Sequence, residues 1–434
     1  MSRVQRGTGS LKSVPLFERY GSLIIIVLFL RLLLTAIPSY SIDMGGYTAW
    51  SDYLAKNGPA QLYGDSGYHI VYAPFFQYFL WLTGEIKVLF SLSSGFQAYL
   101  IKMWSVLFEA MGGCLLILLS KKYKSEEKGI VLALIFFINP AVIMNSSVWG
   151  QFDSVPAAML LGVLYLFEVK QKNAAALLFL VAVLTKPQSG LLLPVVLYLY
   201  FRDFRLDVKN ITRLLTGLAG GVVLYLLIVL PFYNPTAKSG NPVPQVLDPF
   251  YWLFDLYSRS MEDYPYATAN AFNFWYLLGG QTRDDGLSFL GLTYSLWGYI
   301  LLACALGYAF FMLIKGRASA HALAYFSFLV LFSAFVFMSR MHERYLLPAV
   351  SFIMLSLIWN KRHVLTAILT SLCVFSNHLY LYLVSFEKRY WLDPSDGIAL
   401  FLSFLTLVTY GLAVFDGYKL FIETHNKKKG MEVQ

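Results

Sequence analysis

The chain has 434 residues, of which 58% are hydrophobic, 17% aromatic and only 14% charged. Soluble domains carry roughly a quarter charged residues, so water is excluded as the main solvent. The net charge of +9 lies in short clusters between apolar runs, not along one solvated face, which argues against a nucleic-acid partner. Cys114, Cys304 and Cys373 all fall in apolar stretches, so neither a disulfide framework nor a cysteine metal site is expected.

Uninterrupted apolar runs of about 17 to 25 residues are long enough to cross a hydrocarbon core as helices, whereas barrel strands would alternate. The first, beginning at Gly21, is followed by no small-residue cleavage pattern and is expected to remain as a span. Arg3, Arg6, Lys12 and Arg19 precede it, and further clusters occur at Lys121 to Lys128, Lys170 and Lys172, Arg202 to Arg213, Lys315 and Arg317, Lys361 and Arg362, and Lys427 to Lys429. Placing all of them in the cytoplasm requires an even number of crossings between consecutive clusters. The chain is thus expected to be an all-α integral membrane protein with both termini inside and about twelve spans. They fall near 21–40, 99–119, 129–147, 154–169, 173–185, 188–201, 213–232, 289–314, 319–338, 345–359, 364–384 and 397–421. The pair at 173–185 and 188–201 is short, consistent with tilt or partial insertion. Residues 1–20 form an inner segment, 21–421 a single membrane domain and 422–434 a basic inner tail. Two long extracytoplasmic loops remain, 41–98 and 233–288. Glu85 and Lys87 interrupt the run from Pro74, so 74–92 is expected to be an interfacial or re-entrant helix inside the first loop.

Four polar patches then share the outer face. In the first loop Asp43, Tyr47, Trp50 and Leu54 recur at helical spacing, and Asn57, Gly58 and Pro59 stop the helix. Asp43 stands where it would cap that helix, a purely structural role. Trp149, Gln151 and Asp153 follow the third span; an acid so close to hydrocarbon is costly without a purpose, unless it caps the next helix. Lys186 and Gln188 lie between the two short spans, where a lysine either snorkels or meets an anion. Arg340, His342, Glu343 and Arg344 break the positive-inside pattern, and guanidinium forks suit phosphate, although Glu343 would also balance charge locally. A carboxylate base beside a basic site can displace a phosphate leaving group from a lipid carrier. The second long loop is rich in Tyr, Trp and Asn, as an acceptor lid or an interfacial aromatic belt would be. Arg31 and Glu109 inside spans are expected to pair with each other or with a lipid phosphate.

Asp43 with the downstream YTAW, then WGQFDS, TKPQSGLLLP and MHERYLLP, resembles bacterial membrane proteins related to the second mannosyltransferase of GPI-anchor assembly. These belong to the GT-C superfamily of polyprenyl-phosphate-sugar-dependent glycosyltransferases. The resemblance runs from the first span to about residue 350. It implies a GT-C-like fold and inverting transfer of a single sugar, mannose or another hexose, to a glycan, lipid or protein acceptor outside a bacterial plasma membrane. Asp43 is then the general base, with Asp52 or Asp153 as alternatives. Arg340, His342, Arg344 and Lys186 receive the donor phosphate, and Tyr47, Trp50, Trp149, Gln151, Asp153, Gln188 and Glu343 contact sugar or orient the base. The co-substrate is the lipid-linked sugar. An Asp-x-Asp pattern is absent after Asp43, which lowers the expectation of a divalent metal, although His69, His342 and Glu343 offer ligand types. A lipid-linked saccharide transporter or flippase, or a polysaccharide polymerase or ligase, is the competing class; one-sided polar motifs and the lack of an inverted repeat favour the enzyme.

Overall fold

The computed structural model describes residues 16–64, 66–70, 72–234, 244 and 247–423. The expected basic segments at Arg3 to Lys12 and Lys427 to Lys429, and most of the PVPQV stretch of the second loop, lie outside them.

The first helix, α1 (Leu16–Thr35), ends earlier than hydropathy suggests, because Pro38 breaks the run and Ile37 to Tyr40 pass to the next helix without helical structure. Its outward Ile25, Ile26 and Phe29 are at least 60% exposed, a face suited to acyl chains and not to water. Two helices of the first loop, α2 (Ser41–Asn57) and α3 (Pro74–Phe90), pack on each other. Gly84 permits the close approach: a Cβ there would stand 2.2 Å from the Ser51 carbonyl oxygen. The next helix, α4 (Ser94–Tyr123), is capped by Ser93. It is followed by α5 (Glu126–Phe137) and α6 (Pro140–Ile143), which continues as a wide turn over Met144–Trp149. The expected span 129–147 is bent, by 46°, where Asn139 and Pro140 interrupt the ladder.

Next come α7 (Ser154–Glu168), α8 (Lys172–Thr185), a tight turn over Pro187–Leu192, α9 (Leu193–Phe201) and α10 (Val208–Val229). The second long loop holds α11 (Asp248–Glu262), α12 (Phe274–Leu277) and a small hairpin pairing β1 (Ser288–Phe289) with β2 (Leu292–Thr293). The chain ends with α13 (Tyr294–Lys315), α14 (Ala320–Phe337), α15 (Leu347–Ser356), α16 (His363–Ser385) and α17 (Gly397–Gly417).

This is an all-α, multi-pass membrane protein. Six described helices or helix continuations are long and apolar enough to cross a bilayer, and the bent pair α5–α6 makes a seventh. α7, α8, α9 and α15 have 15, 14, 9 and 10 residues, so their crossings are not established by length, and the expected figure of about twelve is not reached on that criterion. For two of them the apolar composition has another cause: α7 is almost wholly buried against α4, α8 and α15, and α15 against α14, 83% of whose span is interior. Contacts gather the basic clusters at one end, where Lys122 meets Glu168, Lys128 donates to the Ile358 carbonyl and Lys172 to the Tyr200 carbonyl. The two long loops occupy the other, here called the loop end. Within the bundle Arg31 does pair with Glu109, both fully buried, and Ser146 and Ser154 complete the network.

Candidate active site

At the loop end the residues expected to form a site come together. Asp43 lies in the first turn of α2 but does not cap it. Tyr40 occupies the cap position, with no side-chain cap bond. The Asp43 carboxylate turns instead to the segment after α6, and its Oδ2 accepts from Trp149 Nε1 at 2.7 Å and Gln151 Nε2 at 2.6 Å. Oδ1 makes no hydrogen bond among the described residues. Trp149 is fixed by stacking on Tyr40, ring centroids 4.2 Å apart. Gln151 is fully buried and its Oε1 lies 3.1 Å from the Tyr47 hydroxyl. Trp50 packs edge-on against Tyr47 and Tyr72, so it supports the helix and is not presented as a free sugar platform. Gly150, between the two donors to Asp43, has φ +93°, and a Cβ there would come within 2.5 Å of Met44 Cε. WGQ therefore requires its glycine.

Asp153 heads α7, again without a side-chain cap bond. It forms a buried ion pair with Lys186, and its Oδ2 accepts from Asn145 at 3.1 Å. Burial alone would raise the Asp153 carboxyl, but the Lys186 and Arg344 cations hold it below its ordinary value. Lys186 is 5% exposed, so it does not snorkel, and it also lies 4.6 Å from the centre of the Phe152 ring. Arg344 Nη1 contacts Glu343 Oε1 at 2.5 Å, the local charge balance, while its buried Nε has no partner among the described residues. Glu343 is pushed up by burial against the opposing pull of Arg344. His342 is held well below the ordinary histidine value by burial and by Arg344 and Lys186, so at neutral pH its ring is neutral and offers a hydrogen bond, not a charge.

Arg340 is held in a fork by Asp285, with contacts of 2.8 and 3.0 Å. Asp52, the alternative carboxylate, is bound by Lys87 at 2.7 Å and Gln97 at 2.8 Å. Of the ligand types noted in the sequence, His69 pairs with Asp263 at 2.9 Å. Among the described residues no three His, Cys, Asp or Glu side chains form a metal-sized group.

Lys186, Gln188, Arg340, His342 and Arg344 line one cavity of about 390 Å³. Leu191, Met261, Met338 and Met341 make its apolar wall, and Tyr72, Tyr264 and Tyr345 add aromatic rings. Gln151, which donates to Asp43, also lies 3.1 Å from the Tyr47 hydroxyl, and that hydroxyl lies 3.3 Å from the hydroxyl of the cavity-lining Tyr72, so a short hydrogen-bonded chain joins the carboxylate to the cavity wall. The second loop supplies Tyr257, Ser260 and Tyr264 to the lining. Four of its other polar side chains bond to backbone carbonyls elsewhere in the protein. Asn273 and Trp275 donate to the carbonyls of Phe335 and Phe337, Asn270 to that of Tyr390, and Tyr276 to that of Asp393. Its backbone is pinned on the MHERY segment by Ala269 N to Met341 O and Arg340 N to Tyr266 O, 2.9 and 2.8 Å. The density of Asn and Trp in this loop thus serves a clamp more than a sugar surface.

Several site residues were not legible beforehand. Tyr345 lies inside MHERYLLP, whereas Tyr72, Asn145 and Asp285 belong to no pattern and meet the others only through the fold.

No protein-family model matches the chain, and no curated protein does. Among solved structures the chain is similar to ArnT from Cupriavidus metallidurans bound to undecaprenyl phosphate. That match has 15% identity, covers 93% of this chain and 78% of the other, and has a TM-score of 0.48. The apo state of the same protein matches at 14% identity, 94% and 78% coverage and a TM-score of 0.39.

Proposed function

We propose that this chain is an inverting GT-C-type glycosyltransferase that moves a single sugar from a polyprenyl-phosphate donor to an acceptor on the extracytoplasmic face of a bacterial plasma membrane. The observation that carries this reading is one cavity with an apolar wall, two arginines and a lysine, and a carboxylate held beside it by two hydrogen bonds to a single oxygen. The prenyl chain lies along the methionine and leucine wall, and the phosphate meets Lys186, Arg340 and Arg344, with a hydrogen bond from His342. Trp149 and Gln151 fix Oδ2 of Asp43, which leaves Oδ1 to take the acceptor hydroxyl proton. The acceptor oxygen attacks the anomeric carbon as its bond to the phosphate oxygen breaks. Lipid phosphate then leaves with the electron pair, and the configuration inverts. Relation to the GPI second mannosyltransferase, and mannose as the sugar, rest on the WGQFDS and MHERYLLP motifs.

The test is transfer of labelled sugar from a panel of polyprenyl-phosphate monosaccharides to membrane extracts by purified wild type and Asp43→Asn. General-base removal costs about 10²- to 10⁴-fold. Transfer from one donor, lost in a variant that still binds it, supports the reading. No transfer from any donor, together with movement of labelled lipid between vesicle leaflets, replaces the enzyme with a transporter.

A further inference from the structure

A second cavity, of about 490 Å³, opens where α1 ends and α4 begins. It shares no lining residue with the first. Lys102 of α4 points to it and is only 2% exposed. Its ammonium group donates to the Ile37 carbonyl oxygen at 2.6 Å. Among the described residues no carboxylate pairs with it, in contrast to Lys186, Arg340 and Arg344, each of which has an acidic partner. A buried ammonium with one neutral acceptor has N–H capacity to spare and a charge that an anion would balance. α1 ends at Thr35 and α4 is capped by Ser93, so the cavity lies at the loop end of both helices, the level at which lipid headgroups meet a span of this length. Its rim carries Phe96, 49% exposed, with Leu33, 55% exposed, on the adjoining turn of α1.

A cation inside and an apolar rim outside define an amphiphile with an oxyanion head. We propose that this cavity binds the phosphate-ester headgroup of a membrane lipid, seated on Lys102, at a site separate from the donor cavity. The site backs directly on the base. The Lys102 side chain lies 3.5 Å from where a Cβ would stand at Gly150, and the neighbours of Gly150 in sequence are the two donors to Asp43. Ser105, one turn along α4, donates to the Gln151 carbonyl at 2.9 Å. The headgroup therefore sits behind the WGQ segment, with the donor cavity on its other side.

The experiment is native mass spectrometry of the full chain released from detergent supplemented with phosphatidylglycerol or phosphatidylcholine. Wild type should retain one phosphatidylglycerol in preference by about tenfold, the order of one charge-assisted hydrogen bond. Lys102→Met should lose the preference, Lys102→Arg should keep it, and Lys121→Met at the opposite end should behave as wild type. Gly95→Trp offers an independent check that keeps the lysine. Position 95 has open space, its nearest contact being Ser93 Oγ at 4.0 Å, and a ring there fills the cavity and should also abolish retention. Undiminished retention in both Lys102→Met and Gly95→Trp overturns the site. Displacement of the lipid by millimolar inorganic phosphate overturns the lipid assignment in favour of a free oxyanion. None of these readouts depends on sugar transfer.

Discussion

The Lys186 and Asp153 pair separates a structural cation from a phosphate-binding one. Their side chains are 6% and 3% exposed, so Lys186→Met strands a buried carboxylate. Breaking such a pair on one side costs about 3–5 kcal/mol. Arg344 also acts on Asp153, and Asn145 donates to it at 3.1 Å, which places the cost near the low end, about 3 kcal/mol. That is roughly two powers of ten in the unfolding equilibrium. Lys186→Met with Asp153→Leu removes both charges and should return most of the loss, since buried pairs replaced by apolar groups are often neutral. Asn145 then keeps His378 Nε2 at 3.1 Å as a partner. Unfolding in mixed micelles, followed by tryptophan fluorescence, measures stability, and labelled transfer measures activity. The single variant should lose both; the double variant should recover stability yet remain more than about tenfold slower, for want of a charge at the leaving phosphate. A double variant that recovers transfer as well as stability would falsify the phosphate role of Lys186.

Trp149→Phe keeps the ring stack on Tyr40 and removes one of the two bonds to Asp43. A hydrogen bond to a charged group is worth about 1.5–3 kcal/mol, so kcat should fall roughly 10- to 100-fold while donor KM stays unchanged; an equal rise in KM would point to donor binding instead. For His342 the native value lies below the unfolded one, so its contribution to stability is complete above the ordinary 6.5 and is lost as pH falls below it. Unfolding measured between neutral and mildly acidic pH should therefore fall more steeply in wild type than in His342→Asn, and parallel curves would contradict the neutral ring. Arg340→Lys loses the fork to Asp285, a carboxylate side chain only 4% exposed, and limited proteolysis should cut the 264–285 segment faster than in wild type.

The membrane class and the grouping of motifs were legible because both depend on local properties. Hydropathy reports solvent, and the lysine and arginine clusters report which loop ends lie together. Helix ends were less so. Apolar composition cannot distinguish a lipid-facing span from a helix buried in protein, and α7 and α15 are apolar for the second reason. Nor did spacing show what each acid does: Asp43 and Asp153 both stand at helix starts with the chemistry of a cap, and both side chains turn to residues far along the chain. Asp285 could not be assigned to Arg340 in advance, because the two are brought together only when the second loop folds over MHERY.

That folding leaves the three cations of the cavity paired, Lys186 with Asp153, Arg340 with Asp285 and Arg344 with Glu343. Three acids offset three bases, so under the proposed function net charge is not expected to be what draws in a lipid phosphate. On that proposal the pairs instead hold each cation in place ahead of a donor, the preorganisation that makes dipoles and charges effective where new charge develops. Unused donors remain, since Arg344 Nε has no partner among the described residues and an ammonium has three N–H groups. Weakening the Glu343 side of its pair should then loosen Arg344 without removing its charge. Glu343→Gln is expected to preserve donor binding and slow transfer. If it tightened the donor while transfer stayed unchanged, net charge would be the governing quantity and preorganisation would not.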